Sequence, residues 1–169
     1  MGSSAAKQHR AEAVTLHFAY GANMHRAVMR RHAPHAQPLG VAELVGHRFV
    51  ITADGYASVE RATAQKVHGV LWRITPRDRV TLDGWENVAG KLYRAVMMPV
   101  RHDGRLHRAL VYIARPNGEG RPKAGYMELV AAASREWKFP KGYIEGLERW
   151  LPAHPAAAGT RKLGDIEWT

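Results

Sequence analysis

The apolar run Val67-His68-Gly69-Val70-Leu71-Trp72-Arg73-Ile74 stops abruptly at Thr75-Pro76-Arg77-Asp78, and that junction leaves the backbone little choice. The run has the length and apolar content of a buried strand. Immediately after it a helix starts, with Thr75 as N-cap, Pro76 at the first helical position and Asp78 at the third. The helix is predicted to reach about Asp83 and to stop at Gly84.

Other elements fall into place around this junction. Thr15–Tyr20 is a predicted strand and Met24–Arg31 a short helix, and Pro34 and Pro38 mark a loop. Gly40–Leu44 and His47–Ala53 are expected as consecutive strands divided by Gly46. Asp54-Gly55 signals a turn, and Tyr56–Val59 a short strand. Leu92–Val100 and Leu106–Ala114 suggest a hairpin around His102-Asp103-Gly104. Arg115–Lys123, rich in Pro, Gly and charge, is expected to be a mobile connection. Gly125–Trp137 and Lys141–Leu151 are predicted helices separated by Phe139-Pro140. Strands precede most of the helices, so the expected class is α+β, built on a small, mixed and strongly curved sheet or barrel flanked by helices.

A length of 169 residues fits one domain, and 46% hydrophobic residues can fill its core. The domain is assigned to residues 15–151, between a disordered segment at 1–14 and a weakly ordered tail at 152–169. Met1-Gly2-Ser3-Ser4 is either an expression remnant or a natural disordered start. Cysteine is absent, which excludes disulfides, thiolate metal sites and cysteine nucleophiles and agrees with a reducing, cytoplasmic setting. No apolar run approaches the length of a membrane span, and Met1–Arg10 lacks the apolar middle of a signal peptide. The formal charge is +10, but the arginines are dispersed with no block of like charge, which favours a solvated surface over a nucleic-acid footprint.

Two segments carry candidate chemistry. In Phe18-Ala19-Tyr20-Gly21-Ala22-Asn23-Met24 a strand runs into a glycine turn and then a basic helix. Gly21 permits unusual backbone angles and close approach of another molecule. Asn23 is the expected cap of the next helix, whose free N–H groups would make a cradle for a carboxylate. In Leu82-Asp83-Gly84-Trp85-Glu86-Asn87-Val88, Glu86 falls just beyond the Thr75 helix. Carbonyl ends of a helix disfavour a negative charge, and Trp85 and Val88 can exclude water. Both effects push the carboxyl toward neutrality, where it can take and return a proton. A solvated loop glutamate is the competing reading.

Taken in order, Tyr20-Gly21-Ala22-Asn23-Met24, Gly69-Val70-Leu71-Trp72, Leu82-Asp83-Gly84-Trp85-Glu86-Asn87-Val88 and Gly90-Lys91-Leu92-Tyr93 resemble the motifs of the gamma-glutamylcyclotransferase-like family. The resemblance spans roughly Leu16 to Leu151. It implies a small barrel with one cavity at its mouth. The implied reaction closes a γ-glutamyl group on itself to give 5-oxoproline and a free amine or amino acid, with no metal or organic cofactor. It implies Glu86 as the general acid–base. It also implies the backbone of Gly21, Ala22, Asn23 and Met24 as the holder of the glutamyl end, with Tyr20 shaping the wall and Tyr93 and Tyr126 beside the cavity, their hydroxyls binding substrate or orienting Glu86. Tyr56 to Ser58 are implied as further lining. Two positions depart from the pattern: Ala22 replaces a serine, and Asn87 replaces the glycine after the glutamate, where asparagine tolerates left-handed backbone.

Other options are weaker. The ten histidines show no paired ligand spacing, and His32 and His35 are expected in a loop across Pro34. Ser58 lacks a nucleophile elbow. Trp72, Trp85 and Trp137 are expected to anchor the core rather than to stack on bases. A module that binds an acidic ligand in the same cavity without turnover is the alternative to the enzyme.

Overall fold

The computed structural model describes residues 13–153. The segments proposed as disordered N-terminus and weakly ordered tail therefore lie almost wholly outside the described residues. Strands β1 (Thr15–Ala19), β2 (Gln37–Ile51), β3 (Ala57–Ile74), β4 (Tyr93–His102) and β5 (Arg105–Ala114) close a barrel in the order β1-β3-β2-β4-β5. All neighbours run antiparallel except β1 and β5, which meet in parallel at His17 and Leu110. Helices α1 (Arg26–His32), α2 (Pro76–Trp85), α3 (Tyr126–Glu136) and α4 (Lys141–Glu148) flank it. This is the α+β class with the curved, closed sheet expected from the element order. Among the described residues no helix is long and apolar enough to cross a membrane.

The Val67–Ile74 junction is built as its sequence dictates. Val67 to Trp72 are all buried, as a strand covered on both faces requires. Gly69 is forced by space: a Cβ there would stand 2.5 Å from the Ala19 carbonyl oxygen and 2.6 Å from the Phe18 ring. Thr75 and Asp78 form a reciprocal capping box, with Pro76 in the first turn. The box is reinforced because Asp78, buried, also accepts the His35 N–H at 3.2 Å.

Three expectations need correction. Gly46 does not divide two strands. It adopts φ +77° within β2, and pairing continues on either side, from Val45 with Lys66 to His47 with Arg61. A bulge takes up the irregularity, so the ladder is bent rather than ended. For the same reason Tyr56–Val59 and Val67–Ile74 are not separate: Ala57–Ile74 is one strand whose middle is exposed and polar. Arg115–Lys123 is not loose. The Ala53 N–H donates to the Gly118 carbonyl at 2.9 Å, Gly120 to Ile51 at 3.0 Å and Lys123 to Gly55 at 3.1 Å. Pro, Gly and charge make the segment irregular, while backbone pairing to the 52–55 turn holds it.

Candidate active site

Where β1 leaves the barrel, the chain makes one 3₁₀ turn, Ala22–Met24, before α1 begins at Arg26. Asn23 sits inside that turn, so it does not cap α1. His25 occupies the cap position, and no side chain caps there. Gly21 has φ −111°, which needs no glycine. Its requirement is spatial: a Cβ would lie 2.5 Å from the Tyr126 hydroxyl and 3.3 Å from the Ala57 Cβ. Close approach, not a special dihedral, explains this glycine.

The turn and the end of α2 share a cavity of about 350 Å³. Tyr20, Gly21, Ala22, Asn23, Tyr93 and Tyr126 all line it, as does Glu86. Met24 does not. Its side chain is fully buried in the core, its N–H is spent on the Gly21 carbonyl at 3.0 Å, and its own carbonyl accepts the Trp137 indole N–H at 2.8 Å. Tyr56 and Ala57 line the cavity, while the Ser58 hydroxyl is occupied by the Ala114 N–H at 3.1 Å.

Glu86 follows α2 directly, its N–H bonded to the Leu82 carbonyl at 2.8 Å. Its carboxyl accepts a hydrogen bond from Asn23 Nδ2 at 3.1 Å, which joins segments 63 residues apart in the chain. Burial raises its pKa to about 8, against a smaller lowering by the Asn23 bond. Desolvation therefore does the work expected of the helix end. Among the described residues no lysine or arginine lines the cavity to offset it. Glu86 keeps partial exposure, so solvent screens part of the burial cost. Asn87 takes φ +47° and accepts the Gly90 N–H at 3.1 Å, so the asparagine supports the turn in place of glycine.

The tyrosines line the same cavity as this carboxyl. Tyr20 donates to the Tyr112 carbonyl at 2.5 Å and Tyr93 to the Ala57 carbonyl at 2.7 Å. The Tyr126 hydroxyl accepts the N–H groups of Ala57 at 3.3 Å and Ala22 at 3.4 Å, tying β3 to the turn. Burial pushes all three hydroxyls above the usual phenol range, so they stay protonated. The hydrogen bond from Asn23 Nδ2 fixes the orientation of the Glu86 carboxyl.

Sequence reasoning overlooked several lining residues. His32 is the last residue of α1 rather than part of a loop, and it is buried. Its Nδ1 lies 3.1 Å from Asn23 Oδ1, and its ring packs on Trp85 at 3.8 Å between centroids. Trp85 is 41% exposed and so is no core anchor. A signal for His32 existed, because Val28, Met29 and His32 share helical spacing on one buried face. His35 turns to Asp78 instead. His17 and Tyr112 also line the cavity. The His17 Nδ1–H donates to Leu110 at 3.0 Å, and burial lowers its pKa to about 4. Among the described residues no cluster of metal-ligating side chains occurs.

A closed five-stranded barrel flanked by helices is the gamma-glutamylcyclotransferase-like fold. The resemblance read from the motifs stands: residues 66–147 match the AIG2-like family, and the fold is shared with a solved gamma-glutamyl cyclotransferase at a TM-score of 0.80 and 19% identity, over 90% of this chain and 96% of that one. An uncharacterised human protein is similar at 0.79 and 21%, over the same shares. A yeast gamma-glutamyl cyclotransferase specific to glutathione is similar at 0.50 and 13%, over 82% of this chain and 95% of that one. No curated protein matches the sequence.

Proposed function

We propose that the protein is a cofactor-independent γ-glutamyl cyclotransferase. The single observation that carries this reading is Glu86, a carboxyl with a pKa near 8, held by Asn23 over the Tyr20–Asn23 turn in a cavity of small-molecule size. The names of the two cyclotransferases that share the fold support it, and the yeast protein's makes glutathione a substrate to try.

In the proposed reaction the substrate's α-ammonium yields a proton to the Glu86 carboxylate. The freed amine attacks the γ-carbonyl carbon, and a C–N bond forms as the ring closes. The bond from that carbon to the leaving nitrogen then breaks, and Glu86, acting twice, passes to that nitrogen both protons that the attacking nitrogen sheds. The lactam nitrogen keeps one of the three ammonium hydrogens; the other two leave with the amine, which departs as an ammonium ion. Closure within one molecule supplies much of the rate through positioning, so no Lewis acid is required. A base of pKa near 8 matches a proton transfer from an ammonium near neutral pH. Gly21 and Ala22 would present backbone to the glutamyl end, with Tyr20, Tyr93 and Tyr126 shaping the wall.

The test is 5-oxoproline formation from γ-glutamyl dipeptides, γ-glutamyl amines and glutathione, followed by mass spectrometry. Glu86→Gln should lower the rate on the order of 10²–10⁴-fold. A ligand that binds with measurable heat and returns unchanged would instead mark a binding module. Undiminished product from Glu86→Gln would refute Glu86 as the shuttle.

A further inference from the structure

Asn23 has two unlike ends, a carbonyl oxygen that only accepts and an NH₂ that only donates. An ionised Glu86 needs the NH₂ end. Turned the other way, Asn23 would present its oxygen to a carboxylate, and two acceptors would face each other in a site that, among the described residues, no lysine or arginine lines. What decides the orientation is on the far side of the amide. Asn23 Oδ1 meets His32 Nδ1 at 3.1 Å, and an oxygen that only accepts calls for the proton on that nitrogen. The His32 ring is fixed in turn by Trp85, which precedes Glu86 in the chain, and by burial on α1.

We propose that His32 is the positioning residue of this site: its Nδ1–H holds the Asn23 oxygen and thereby keeps the Asn23 NH₂ aimed at Glu86, with Trp85 clamping the imidazole plane. This deepens the cyclotransferase reading and rests on it for its catalytic meaning. The contact itself stands on geometry alone. Burial, helped by Arg31, lowers the His32 pKa to about 4, so the ring is neutral and has a single N–H to place. Its other neighbours here, Asn23 and Trp85, are uncharged. Around Glu86 the shifted titrating groups are Tyr20 just after β1, Tyr93 from β4, Tyr112 from β5 and Tyr126 from α3, all held protonated by burial, and His17 from β1, held neutral by burial. None of them changes charge in the range where Glu86 does, so a moved titration reports on the Asn23 contact.

Two variants separate donor from ring. His32→Phe keeps an aromatic plane on Trp85 and loses the N–H; His32→Asn keeps an N–H donor near the Nδ1 position and loses the plane. The first readout is independent of turnover: ¹³C NMR titration of the Glu86 carboxyl, assigned by its loss in Glu86→Gln. His32→Phe should raise the midpoint by about one pH unit, the worth of one hydrogen bond to a charged group, and His32→Asn should leave it near the parent's. The second readout is the pH profile of 5-oxoproline formation. With His32→Phe the acid limb should move upward, costing roughly tenfold in kcat/KM at pH 7 and recovering above pH 9. A structural role alone would lower the rate at every pH and leave the limb in place. In the parent, ¹⁵N shifts should show His32 Nδ1 protonated and Nε2 bare, which needs no variant to fold. The opposite tautomer, or an unmoved Glu86 midpoint in a folded His32→Phe, overturns the proposal. If the parent forms no 5-oxoproline while its Glu86 midpoint still depends on His32, the cyclotransferase reading fails and the positioning role survives.

Discussion

Replacing Glu86 with glutamine should stabilise the fold at neutral pH while removing the proposed activity. The carboxyl titrates near 4.5 as a free side chain and near 8 in the folded protein, because burial disfavours the charge. Between those values the unfolded chain has released the proton and the folded chain retains it. Stability therefore falls as pH rises across this window, is undiminished below it, and falls no further above pH 8. Taken in full, the span corresponds to on the order of 5 kcal/mol. This residue is partly exposed and solvent screens its charge, so about half is expected. Glutamine keeps the shape and the acceptor for Asn23 but carries no charge. The variant should thus match the parent near pH 4.5, exceed it by about 2 kcal/mol at pH 7, and gain little more beyond pH 8. Urea unfolding of both proteins at half-unit steps from pH 4.5 to 8.5 reads the difference directly. Parallel stability curves across that range, or a glutamine variant less stable at pH 8, would refute burial as the cause of the shift.

Other consequences are open to measurement. The proposed turnover needs ionised Glu86, so kcat/KM should climb about tenfold per unit toward pH 8 and level above it; a flat profile between pH 5 and 8 would count against the assignment. Gly21→Ala puts a methyl against the Tyr126 hydroxyl and should cost about 1–3 kcal/mol in thermal unfolding. Much of that loss should vanish in a Tyr126→Phe background, which a double-mutant cycle detects. Gly69→Ala meets the Ala19 backbone oxygen, which cannot swing aside as a side chain would. Its cost should lie at the upper end of the same range and resist rescue. Thr75→Ala removes one half of the capping box and should cost about 1 kcal/mol in urea unfolding without moving the pH profile.

The chain's local grammar determined a good deal. The start of α2 was legible because Thr75, Pro76 and Asp78 act within one turn, and the β4–β5 hairpin because Asp103 and Gly104 both take the positive φ its turn needs. The four motifs in order gave the barrel class before any coordinate. Local signals misled wherever a distant partner had the deciding vote. Gly46 reads as a break until β3 pairs across it, and Arg115–Lys123 reads as loose until the 52–55 turn accepts its backbone. Met24 sits beside Asn23 in sequence yet points into the core.

The candidate site shows the same division. Sequence supplied the residue types, Glu86 after a helix and a glycine turn after a strand. Only the closed barrel decided that Asn23 would spend its side chain on Glu86 rather than on capping α1, that His32 would stand behind it, and that Gly21 must be bare because Tyr126, from the far end of the chain, occupies the space. Caps and turns need only a few neighbouring residues and their dihedral preferences. A desolvated carboxyl needs walls from β1, β3, β4 and α3 at once, and burial of that kind is a property of the assembled barrel.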